Sequence, residues 1–173
     1  DSFVYYMTGR ELDKSRFAGS EKPGKELLKV EGISAKTLFA DISFNLHAGE
    51  ILGITGLLGS GRSELARALF GMIKLDAGTI TLDGEEVRMR NVRDAIAHGI
   101  AYVPEDRLTE GLFLPHTINR NIMIVAYRKF FSKFGFVKKL SLKQTVDHWI
   151  QELKIVTPSG ELPVQSLSGG NQQ

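Results

Sequence analysis

The sequence predicts an α/β fold with an inserted or appended helical part, and three observations carry that expectation. Segments that alternate apolar with polar residues come first, as half-buried antiparallel strands do. A mostly apolar segment, a glycine-rich loop and a helical pattern then follow without interruption. Beyond Pro104 the apolar spacing becomes helical. A chain of 173 residues with 42% hydrophobic content fits one ordinary domain with a real core.

The elements follow in order. Residues 1–25 are polar and charged and close on Pro23-Gly24, which reads as a linker or the tail of a preceding domain. Residues 27–30 and 42–46 are the alternating strands, and the turn at 47–50 leads into 51–55, expected as a buried strand. The loop after it opens into a helix over 63–70, stopped by Gly71. Asp83-Gly84 between 79–82 and 85–87 is a strong hairpin signal. Asn91 is expected to cap a helix running to His98, with Gly99 ending it and 100–103 returning as a strand. Helices are expected around 117–127 and 141–153, and no internal repeat is present.

Composition excludes several classes of function. The absence of cysteine removes disulfide scaffolds, thiol chemistry and Cys-based zinc sites. His47, His98, His116 and His148 are scattered and read as structural or surface groups. Lys plus Arg number 22 and Asp plus Glu 20, so the net charge of +2 gives no general reason to expect a nucleic-acid partner. The apolar runs fall far short of the roughly 18 residues that a membrane-spanning helix needs, so a soluble chain is expected.

The glycines decide the reading. Gly56-Leu57-Leu58-Gly59-Ser60-Gly61-Arg62-Ser63 has the spacing of a Walker A loop: glycine, four residues, glycine, a basic residue, a hydroxyl. Glycines let successive backbone N–H groups turn inward around phosphate oxygens, and the helix beginning at Ser63-Glu64 presents its positive end. Ser63 would supply an oxygen to Mg²⁺. The alternative is a tight turn between strand and helix whose glycines only satisfy packing. Arg62 stands where such loops carry lysine. Its planar guanidinium suits holding phosphate better than following charge between oxygens, so the loop predicts a site that holds nucleotide rather than hydrolysing it.

A second motif lies about 105 residues further on, Leu167-Ser168-Gly169-Gly170-Asn171-Gln172-Gln173. With the Walker A loop it resembles the signature sequence of ABC-type ATPases. That resemblance implies a P-loop NTPase fold of ABC type, with a mixed sheet core, an antiparallel β subdomain and a helical subdomain over about 112–165. It also implies ATP and Mg²⁺ as cofactors, with Ser168 and the glycine amides closing on the γ-phosphate held by an opposite domain. Met7-Thr8-Gly9-Arg10-Glu11-Leu12 looks like the connector between the fused halves of bacterial monosaccharide importers, and Glu105-Asp106-Arg107 with Gly111-Leu112 looks like a loop of their second half. Thr157-Pro158-Ser159 fits the same group.

On this resemblance, residues 1–25 are a linker and 26–173 most of a second nucleotide-binding domain. The implied partners are the N-terminal nucleotide-binding half of the same protein, membrane-embedded permease subunits and, indirectly, a periplasmic sugar-binding protein, at the cytoplasmic face of the inner membrane. Three departures qualify it. Glu105 takes the place of the family's Mg²⁺-contacting glutamine and remains a candidate metal-shell carboxylate, or else a surface acid paired with Arg107. Residues 32–38 offer no aromatic to stack on adenine, and Phe39 falls where a core residue is expected. Up to Gln173 there is no Walker B aspartate, catalytic glutamate or switch histidine, so this polypeptide alone is expected to lack the parts for hydrolysis.

Residues 127–139 interleave four phenylalanines with five cations. Docking against a membrane subunit, membrane-surface association, nucleic-acid stacking and a solvated loop covering the core all remain open there. Two alternatives to the importer reading also remain: a regulatory or scaffolding module that binds no nucleotide, and a soluble ABC-type ATPase acting on nucleic acid.

Overall fold

The computed structural model describes residues 24–126 and 139–173, so the importer-like connector at 7–12, nearly all of the expected linker and the basic, aromatic stretch lie outside the described residues. The chain divides into two compact units, 1–102 and 103–173.

In the first unit, strands β1 (Glu26–Ala35), β2 (Phe39–His47), β3 (Ala77–Leu82) and β4 (Glu85–Val87) form an antiparallel sheet in the order β2-β1-β3-β4. Asp83-Gly84 makes the two-residue turn between β3 and β4, with both residues at positive φ, 50° and 86°. β1 is bulged around Gly32, where the register slips against both neighbours. The slip is held by Ser43 Oγ, which accepts from Gly32 N at 2.8 Å, and by Ser34 Oγ, which accepts from Asp41 N at 2.9 Å. Gly78 of β3 lies against this bulge.

Helix α1 (Arg62–Leu69) covers one face of the sheet. Leu65 and Ala68, three apart on the helix, join Val30, Ile33, Ala35, Phe39 and Ile80 in one buried cluster. Phe39 is therefore a core residue, as its position predicts. Asn91 caps helix α2 (Val92–Ala97), its Oδ1 accepting from Arg93 N at 2.9 Å and Asp94 N at 3.3 Å. Asn91→Ala removes the acceptor for these orphan amides and is expected to cost about 1 kcal/mol in a denaturant titration. A change below a few tenths of that figure would mean water replaces the cap fully.

Two expected strands are absent among the described residues. Residues 51–55 and 100–103 have no ladder partner, and Ile51 is 83% and Val103 87% exposed. An apolar segment becomes a buried strand only when neighbours satisfy its backbone on both sides and layers cover its faces. Neither segment pairs with a described strand, so the described sheet is wholly antiparallel rather than mixed.

In the second unit, a π-helical turn (Arg107–Gly111) precedes helices α3 (Ile118–Ala126) and α4 (Lys139–Glu152). Ile118, Val146 and Val164 are its buried apolar side chains among the described residues. The start of α3 is stapled to the segment that leads to the second motif. Ile118 N donates to Leu162 O, Asn119 N to Gly160 O, and Val164 N to His116 O. Asn119 Nδ2 adds a bond to Glu161 Oε1 at 2.7 Å. A short 3₁₀ turn (Val164–Ser166) then delivers the chain to helix α5 (Gly169–Gln172). No described helix is long and apolar enough to cross a membrane.

Candidate nucleotide site

The Walker A loop belongs to the first unit. Gly56, Leu57, Leu58, Gly59 and Ser60 are exposed, with Leu58 at 99%, whereas Gly61 is buried. Ser60 N donates to Leu57 O at 3.1 Å, which tightens the loop, and Leu65 N donates to Gly61 O at 2.8 Å as the helix begins. Gly61 has φ 86°, and a β-carbon there would lie 2.5 Å from Leu38 O. The loop can therefore reach α1 over the start of β2 only through a glycine. Gly59 also has positive φ, at 79°, and open space on its Cβ side. Alternation of left-handed and right-handed residues turns successive amides to one side, the arrangement that suits a polyphosphate. Arg62 is exposed, and Ser63 and Glu64 are half-buried in the first helical turn. Ser63, a hard oxygen donor at that helix start, fits a Mg²⁺ shell.

Glu105 and the second motif belong to the other unit. Glu105 is exposed and precedes a turn that Asp106 organises. The Asp106 carboxylate accepts from Thr109 Oγ1 at 2.7 Å, Thr109 N at 3.3 Å and Leu108 N at 3.0 Å. The Thr109 hydroxyl is the chief reason its pKa lies below the ordinary 3.8, the backbone donors and the Arg107 charge adding to it. A carboxyl depressed by folding contributes stability above 3.8 that is lost as pH falls through the lower folded value. Thr109→Val is expected to move the Asp106 titration up toward 3.8, read by carboxyl NMR, so the turn then loosens at a higher pH than in the parent. An unmoved titration would show that the backbone amides alone set it.

The motif Leu167–Gln172 combines an exposed front with a tethered back. Ser168, Gly169 and Gly170 are exposed, while Leu167, Asn171 and Gln172 are half-buried. Gly169 and Gly170 open α5, so their amides have no carbonyl one turn back inside the helix. Asn171 and Gln172, read from sequence as binding residues, direct their side chains to the protein. Asn171 Oδ1 accepts from Val156 N at 3.0 Å and its Nδ2 donates to Ser168 Oγ at 3.0 Å. Gln172 Nε2 donates to Leu167 O at 3.1 Å and Val164 O at 3.3 Å.

Arg107 is a residue whose place here the sequence did not reveal. Its Nη2 would lie 3.1 Å from a β-carbon at Gly169, and its Nε is buried without a hydrogen-bond partner among the described residues. The adjacency of Glu105-Asp106-Arg107 marked the loop but not its contact sixty residues on. Among the described residues no group of three His, Cys, Asp or Glu side chains gathers as a metal site.

The fold and the glycine loop define a nucleotide-binding cassette, and comparison with known proteins agrees. The family described as "ABC transporter" matches residues 39–173. The ribose import ATP-binding protein RbsA of Oceanobacillus iheyensis is 42% identical over 173 residues, and that of Chromobacterium violaceum 41%. Each match takes in the whole chain but only 35% and 34% of the relative's length, so the chain spans about a third of these proteins. Among solved structures, the ADP conformation of the ATP-binding cassette MJ1267 aligns with TM-score 0.64 at 18% identity, covering 85% of this chain and 61% of that one. The cbiO1 cassette of Clostridium perfringens aligns with TM-score 0.64 at 19% identity, covering 86% and 59%. This chain belongs to the ABC transporter ATP-binding family, and its relatives include ribose import ATP-binding proteins.

Proposed function

We propose that the chain forms most of the second nucleotide-binding domain of a ribose-type sugar importer, where it donates the signature loop to an ATP site completed by the other half. The observation that carries this is the exposed Ser168-Gly169-Gly170 front, held from behind by Asn171 and Gln172. A hydroxyl and two amides at the exposed start of a helix, on a tethered loop, are suited to close on the terminal phosphate of a nucleotide held elsewhere. The names of the relatives support import as the setting.

In this reading Gly56–Ser63 and Glu64 cradle the phosphates of ATP in the local site, with Ser63 and Glu105 toward Mg²⁺. Arg62 makes that site a weak one. The productive site pairs Ser168, Gly169 and Gly170 with the Walker A loop of the N-terminal half. Closure of the two halves on ATP is passed to permease subunits at the cytoplasmic face of the inner membrane, moving a sugar brought by a periplasmic binding protein. Residues 1–25 join the halves, and the helical subdomain spans about 112–165. A scaffolding module that binds no nucleotide is favoured by one observation, the burial of Phe39, which leaves no exposed aromatic at the start of β2 for adenine among the described residues.

The test compares ATP turnover by the complete two-half protein, with its membrane partner, after change at the two motifs. Arg62→Ala is expected to keep most of the turnover, within about threefold. Gly169→Asp is expected to remove it. Equal damage from both would overturn the division of labour, and unaltered turnover at Gly169 would leave only the scaffold.

A further inference from the structure

We infer that Asn171 is a positioning residue that fixes the Ser168 hydroxyl as a hydrogen-bond donor toward the nucleotide. The inference rests on the signature-donor reading and deepens it.

The argument begins at Val156. A backbone N–H can only donate, so the atom of the Asn171 amide that faces it, 3.0 Å away, is the oxygen. The other end of the same planar group is therefore the NH₂, and it faces Ser168 Oγ at 3.0 Å. Ser168 Oγ accepts from Asn171. A serine hydroxyl has one hydrogen and two lone pairs, so accepting from one side leaves its hydrogen to point elsewhere. Ser168 precedes α5, yet its side chain makes no capping bond to that helix. The side chain is exposed, and a β-carbon at the neighbouring Gly170 would meet nothing within 4 Å. Among the described residues the hydroxyl hydrogen thus meets no acceptor, and on the open side an anionic oxygen is its best partner.

Val156 lies just beyond α4. Lys154, with φ 53°, ends that helix in the left-handed conformation, and Ile155 N still donates to Ile150 O at 2.9 Å. The segment that follows α4 consequently sets the rotor of a hydroxyl twelve residues beyond Val156. Nothing in Leu-Ser-Gly-Gly itself specifies this, because an unrestrained serine can rotate to accept or donate equally well.

Asn171→Asp separates positioning from simple support. A carboxylate still accepts from Val156 N–H, so the loop keeps its tether. Its second oxygen now accepts from Ser168, turning the hydroxyl hydrogen inward and away from the nucleotide. In the complete two-half protein with its membrane partner, Ser168→Ala and Asn171→Asp are each expected to lower ATP turnover about tenfold or more. Both are expected to weaken binding of a non-hydrolysable ATP analogue, with the melting temperature and the amide-exchange protection of Val156 unchanged. Asn171→Ala is expected to lose that protection. The double variant Ser168→Ala with Asn171→Asp is expected to be no worse than Ser168→Ala, since no hydroxyl remains to misdirect.

If Asn171→Asp behaves as the parent, Asn171 is a tether only and the inference fails. If the aspartate lowers turnover as much in the Ser168→Ala background as in the parent, its charge acts directly and the inference also fails. Full turnover with Ser168→Ala alone overturns the signature-donor reading, and this inference with it.

Discussion

Gly169→Asp is expected to lower ATP turnover of the complete protein at least about hundredfold, the scale of losing a preorganised donor at a phosphate and gaining an opposing charge. Gly169 is exposed at the first turn of α5, where its amide has no carbonyl one turn back within the helix. Two fates await the new carboxylate. It can turn toward the nucleotide and repel the terminal phosphate. It can also swing to Arg107, whose Nη2 would lie 3.1 Å from the new β-carbon, and draw that guanidinium across the loop. Both cover the amide that the proposed function needs. Gly169→Ala is the control. Its methyl group asks only the end of a flexible arginine to move by a few tenths of an ångström, so turnover is expected within about threefold of the parent. A Gly169→Ala variant as inactive as Gly169→Asp would mean that backbone freedom, not charge, governs the loop. Turnover with paired initial-rate and nucleotide-binding measurements distinguishes the two.

Gly78→Ala is expected to destabilise the protein by about 3 kcal/mol, the sum of a left-handed backbone forced on alanine and an overpacked contact with rigid atoms. Gly78 has φ 86°, and its missing β-carbon would meet Ile33 N, with Glu31 O and Gly32 C each at 2.5 Å. All are backbone atoms at the bulge of β1, and they cannot rotate aside as a side chain would. The bulge carries Ile33, which is 0% exposed in the cluster that seats α1. Pushing it outward therefore disturbs the layer on which the phosphate loop stands. Urea denaturation of parent and variant measures the effect. A loss under about 0.5 kcal/mol would show that β3 shifts along β1 without disturbing the core.

Much of the fold was legible because its signals are local. The φ values required at Asp83-Gly84 allow few other residues, so the hairpin followed from two letters. Asn91 caps α2 through amides only two and three residues away. Residues 51–55 misled for the opposite reason. Their apolar run states a need for burial, and burial depends on strands elsewhere in the chain, none of which is described beside them.

The candidate site divides the same way. Two glycine-rich motifs and their spacing identified the family without any coordinates, since phosphate binding by backbone amides demands glycine at set intervals. The sequence by itself thus determined the family, and with it the class of ligand and the loop residues on which the proposed function rests. It offered no means of seeing that Arg107 lies beneath Gly169, that Gly78 braces a bulge in β1, or that Asn171 spends its amide on Val156 and Ser168. Those are contacts between residues brought together by folding, where a side chain's role depends on which donor or acceptor it meets. Only the tertiary structure decided them, because a hydrogen bond has a direction and a residue type has none.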